Sequence, residues 1–159
     1  MDAATISEVV SAWEAAARSS GRDLPVDSVE RGLAFLPDSP EWAISEDASA
    51  LFALTNDDVV FVFGLGPGRQ TALHSRPLYR ERLLVRLAWS QPVPTDAGGL
   101  TWSTSWIFHY SDERGQNEWQ SLSGSVVRDA NGTERLDARE RFARAIATRA
   151  GWAGLPSNS

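Results

Sequence analysis

Apolar residues recur at helical spacing near the start of the chain. Ile6, Val9, Val10, Trp13, Ala16 and Ala17 fall on one stripe, which predicts an amphipathic helix. Thr5 and Glu8 have the spacing of a capping box, and Gly21 stands where such a helix would stop. From Arg22 to Pro40 the chain is punctuated by Pro25, Pro37 and Pro40, so turns are expected, with room for a short strand or helical turn. The segment SPEWAISED then reads as a short helix, with Ser39 as N-cap and Pro40 at the first helical position.

Beyond this point the period changes to two. ALFALT (50–55) and VVFVFG (59–64) flank Asn56-Asp57-Asp58 and predict a hairpin. In RERLLVRLAWS (80–90), Leu83, Val85, Leu87 and Trp89 alternate with Arg82, Arg86 and their neighbours, and Arg80 shares the arginine face. TWSTSWIFHYS (101–111) sets Trp102, Trp106, Phe108 and Tyr110 against Ser103, Ser105 and His109. NEWQSLSGSVV (117–127) is the last predicted strand, and DANGT turns the chain into an amphipathic helix over about 134–150. The inward face of that helix is expected to carry Leu136, Phe142, Ala143, Ile146 and Ala150, with Arg144 on the outer face.

These elements predict an α+β fold: an antiparallel meander of about five strands, with an N-terminal and a C-terminal helix packed on one face. One globular domain is expected over 1–152, followed by a flexible tail at 153–159.

Composition narrows the chemistry. The 159 residues include no cysteine, which removes thiolate catalysis, cysteine-ligated zinc and disulfides together. MDAATISEVV lacks the basic and apolar regions of a secretory signal, and no stretch approaches the roughly 20 apolar residues that span a bilayer. A soluble, cytoplasmic protein is expected. All 15 basic residues are arginine, a bias of GC-rich genomes that suggests a bacterial or phage source rather than a function. Residues 1–60 carry twelve acids and three arginines, a net of −9, whereas 61–159 carry nine acids and twelve arginines, a net of +3. The overall charge of −6 argues against general nucleic-acid binding, which depends on contacts to phosphates.

The glycine-rich stretch GLGPGRQ (64–70) invites comparison with phosphate-binding loops. A Walker loop requires a Gly-Lys pair that this lysine-free chain cannot supply, and the spacing of Gly64, Gly66 and Gly68 departs from the dinucleotide pattern. It reads instead as a surface loop that can serve a partner. It leads into Arg69, Arg76, Arg80, Arg82 and Arg86, five guanidinium groups within 18 residues, with Glu81 the only acid among them. Such a face is either the wetted side of a half-buried sheet or a docking site for carboxylates on an acidic partner.

Trp89, Trp102, Trp106 and Trp119 fall on the predicted C-terminal strands, where they either fill a core or line an apolar ligand pocket. The histidines, His74 and His109, have no partner at a metal-ligand spacing, so neither a metal nor another cofactor is expected. Two functional classes follow. The first is a non-enzymatic binding or adaptor protein of immunity, chaperone or accessory type, meeting an acidic protein surface through Gly66, Gly68 and the arginines from Arg69 to Arg86. The second is a small-ligand binder or cofactor-free enzyme with a tryptophan-lined pocket, in which His109 and Tyr110 would move protons.

Overall fold

A computed structural model of the chain describes residues 1–39, 41–66, 71–78, 83–111 and 117–151; the side chains at 76–77, 110–111 and 117–120 lie outside the description. The fold is α+β, with helices near both ends and two antiparallel sheets where a single sheet of about five strands is predicted. The chain forms two compact units, Met1–Pro77 and Leu78–Ser159.

In the first unit, helix α1 (Ala3–Ser19) buries Val9, Val10, Trp13 and Ala17, the predicted stripe. Its cap is Asp2, not Thr5: the Asp2 carboxylate accepts the Thr5 backbone N–H at 2.7 Å. An aspartate three residues ahead meets the same orphan donor that a capping box would. The helix ends where expected, with Gly21 at φ +70 and the Arg22 N–H donated back to the Ala17 carbonyl at 2.8 Å.

Helix α2 (Val26–Ala34) occupies the segment expected to be mostly turns. Its prolines flank the helix instead of interrupting it, with Pro25 at the N-cap and Pro37 beyond the last turn. Val29 and Leu33 are buried against α1 and the sheet. Gly32 sits directly on the Phe63 ring, where a Cβ would stand 2.2 Å from a ring carbon.

The next segment corrects a second expectation. Glu41–Ile44 is strand β1, not a helix opened by Ser39. Trp42 and Ile44 pack with the helical core while Ala43 between them is turned to the other face, a period of two that overrides the local capping signal. Strands β2 (Ala50–Leu54) and β3 (Val59–Leu65) form the predicted hairpin, and β4 (Thr71–Pro77) completes the order β1-β2-β3-β4. Leu51 and Phe63 pair across strands and face the helices, and the Phe63 ring meets Trp13 edge-on at 5.9 Å. Phe52, Leu54 and Val60 on the other face are buried too, so β2 reads as an unbroken apolar run.

The β1–β2 turn is tied to α1. Ala48 is buried and left-handed, at φ 59, and its carbonyl accepts the Trp13 indole N–H at 2.8 Å. Asp47 organises the exposed side of the same turn by accepting from the Ser49 hydroxyl at 2.7 Å, the Ser49 N–H at 3.1 Å and the Ser45 hydroxyl at 2.9 Å. These bonds, those to Ser49 foremost, with help from Arg22, pull the Asp47 carboxyl down to about 2.

In the second unit, β5 (Leu83–Trp89), β7 (Leu100–Ser111), β8 (Asn117–Arg128) and β9 (Glu134–Leu136) lie in that order, and the two-residue β6 (Val93–Pro94) pairs with β7. Helix α3 (Ala138–Arg149) packs on β8 and β9. It is shorter than predicted because Glu134–Leu136 joins the sheet, with Leu136 opposite Val126. The Asp137 side chain then caps the helix by accepting the Glu140 N–H at 2.8 Å. Phe142, Ala143 and Ile146 face inward as predicted, Ala150 is the half-buried C-cap, and Glu140 and Ala147 join the buried face.

Candidate functional site

The central strands of the second unit separate two different surfaces. On the α3 side, Thr104, Trp106 and Phe108 alternate into the core, opposite Gly124, Leu122 and Gln120 of β8. Trp106 and Phe108 are fully buried and stacked, their ring centroids 6.0 Å apart and nearly parallel at 4°. Above them sits Glu140, fully buried on the inner face of α3. Its Oε2 accepts the Thr104 hydroxyl at 2.5 Å and the Trp106 indole N–H at 2.7 Å, while Oε1 accepts from Arg144 Nε at 2.9 Å. A carboxylate in a core costs several kcal/mol unless its oxygens are met, and here each oxygen has a donor. Gly124 supplies the room: a Cβ there would lie 2.5 Å from Glu140 Oε2 and 2.8 Å from the Thr104 hydroxyl.

Glu140 is the principal residue that the sequence reading misses. Its signal is positional, because it lies three residues before Ala143 and six before Ile146 and so falls inside the apolar stripe of its helix. Arg144, expected to be an idle outer residue, is its ion-pair partner one turn along.

The other face of the sheet is rich in serine but also carries Leu84, which is 61% exposed. Ser103 lies opposite Ser125, Ser105 opposite Ser123 and Ile107 opposite Ser121, so small hydroxyl residues occupy the middle of the two central strands. Exposed Arg86 pairs with Ile107 from β5 on one side, and exposed Arg135 pairs with Val127 from β9 on the other. Arg135 falls within the helix predicted over about 134–150, but β9 places it on this face.

Two arginines of the predicted run lie on described strands. Arg76 is on β4 of the first unit, opposite Val60 in register, and Arg86 is on β5 of the second. Arg69, Arg80, Arg82 and Gly68 lie outside the described residues. Gly64 and Leu65 are part of β3, paired with Ala72 and Thr71, and Gly66 follows at the hairpin end. The element after the glycine stretch is a strand, so it opens no helix whose N-terminus could receive a phosphate.

The tryptophans have separate environments. Trp106 is sealed in the core, and Trp102 is half-buried with the Arg128 guanidinium 5.1 Å from its ring centre, a cation–π distance. Trp89 is 55% exposed, and the Trp119 side chain lies outside the description, as does that of Tyr110. His109 is half-buried and stands on the serine face, opposite Leu84 in register, away from Trp106. A cleft of about 780 Å³ opens in the first unit beside Asp23, Asp27, Ser28 and Arg31, and no tryptophan lines it among the described residues. Among the described residues, no group of three or more His, Asp or Glu side chains is placed to hold a metal. No helix among them is long and apolar enough to cross a membrane.

No protein-family model, curated protein or solved structure matches this chain.

Proposed function

We propose that this chain is a non-enzymatic binding or adaptor protein of bacterial or phage origin. It meets an acidic protein surface with the serine-rich face of its five-stranded sheet. The reading rests on one observation: a sheet face whose middle is occupied by serines, with exposed Arg86 at one side and exposed Arg135 at the other. Guanidinium forks at the margins suit carboxylates, and small residues between them let a partner approach the sheet closely. The buried Glu140 of the same unit has both carboxylate oxygens held by Thr104, Trp106 and Arg144, and it is closed to solvent. The pocket reading loses support, because Trp106 is closed in the core and Trp89 lies outside it.

The test is charge reversal on this face. Arg86→Glu with Arg135→Glu should leave the fold intact, because exposed charges contribute little to stability. Capture of the acidic partner from the source cell should fall sharply, and wild-type capture should weaken with added salt. Arg18→Glu with Arg31→Glu, both exposed residues of the first unit, changes net charge equally and is the control. Equal losses in the two double variants would reject the face as the site.

A further inference from the structure

Strand β4 ends the four-stranded order, and every side chain from Thr71 to Ser75 is exposed. The other sheet margins have the features that keep strand edges from pairing. β1 has four residues and begins with Glu41, β9 has three and includes Glu134 and Arg135, and β5 carries Arg86 at its centre, between exposed Leu84 and Trp89. β4 carries its charge and its proline only at the far end, as Arg76 and Pro77, so Thr71–Ser75 has neither and holds a 42% exposed leucine at its centre. An edge of this kind offers backbone donors and acceptors to a further strand.

We infer that the β4 edge pairs with β4 of a second copy of this chain, antiparallel about a two-fold axis at Leu73. The sequence of the strand selects this occupant. With Leu73 opposite Leu73, Ala72 meets His74 and Thr71 meets Ser75, so an apolar pair is flanked by alanine–histidine and hydroxyl pairs. Arg76 of each copy falls at opposite ends of the ladder, so no like charges face each other within Thr71–Ser75. The interface is isologous and closes at two copies, whereas joining β4 to β1 would continue indefinitely. The inference is independent of the arginine face of the other sheet.

The chain contains no cysteine, so a single introduced thiol reports the geometry directly. Directly opposed residues have Cβ atoms about 4.5–5.5 Å apart, close enough for a disulfide after small adjustment. Purified wild-type protein is expected to approach twice the monomer mass by light scattering as its concentration rises. Leu73→Cys should give a covalent dimer under mild oxidation, and Asp57→Cys in the exposed β2–β3 turn should not. Leu73→Lys should remain monomeric with an unchanged circular dichroism spectrum, because two ammonium groups would meet at the axis. Arg86→Glu with Arg135→Glu should still dimerise. A wild-type monomer at every concentration, or equal cross-linking of the two cysteine variants, overturns the inference.

Discussion

Glu140 accepts three side-chain hydrogen bonds in the core of the second unit, and removing it strands their donors. Glu140→Ala leaves the Thr104 hydroxyl and the Trp106 indole N–H without this acceptor, and it also opens a void. A loss of about 3–5 kcal/mol is expected in a denaturant melt. Arg144→Ala, which looks neutral for an outer helical residue, should cost about 1–3 kcal/mol because it unpairs a buried charge. Asp47 poses a different question, since it is exposed and held by the hydroxyls and amides of its own turn. Its carboxyl is drawn from 3.8 to about 2, so the folded state favours the charged form. The resulting stabilisation is present above pH 3.8 and is lost as pH falls toward about 2. Asp47→Asn should therefore flatten the acid limb of stability in that window, and pH-dependent thermal melts of the two proteins measure the difference.

The elements show where sequence patterns suffice and where packing overrides them. In the second unit, β5, β7 and β8 have one face in the core and one wet, so their alternation is plain in the sequence. β4 gives no such signal, because Thr71 through Ser75 are exposed on both faces and no apolar period is imposed. α2 is obscured by prolines that mark its limits, and β1 by a serine-proline pair that resembles a helix start. The buried carboxylate is hidden for another reason: a glutamate on a helix is normally solvated, and only its place between apolar turns marks it. Gly32 in α2 sets helix propensity against packing. Replacing it with alanine gains about 1 kcal/mol of propensity. The new Cβ would nevertheless overlap the buried Phe63 ring, and overpacking typically costs about 1–3 kcal/mol. Gly32→Ala is expected to lower the midpoint of unfolding, whereas a rise would mean that the Phe63 ring moves aside freely.

Across the whole molecule, charge is unevenly divided. Residues 1–77 hold twelve acids against five arginines, a net of −7, while 78–159 hold nine acids and ten arginines, a net of +1. An acidic partner is therefore repelled less by the second unit, which carries the serine face, than by the first. The sequence makes this imbalance legible, but not the division into two units, because no proline-rich or low-complexity stretch marks the boundary at Pro77 and Leu78. Among the described residues, each unit holds one tryptophan fully buried with its indole N–H donated internally, Trp13 to the Ala48 carbonyl and Trp106 to the Glu140 carboxylate. In deuterated water those two protons can exchange only when their own half opens, while that of the exposed Trp89 is reached directly by solvent. The pair forms two clocks built into one polypeptide. Matching rates across a range of denaturant would report that both halves open in a single event, and diverging rates would resolve the free energy of each.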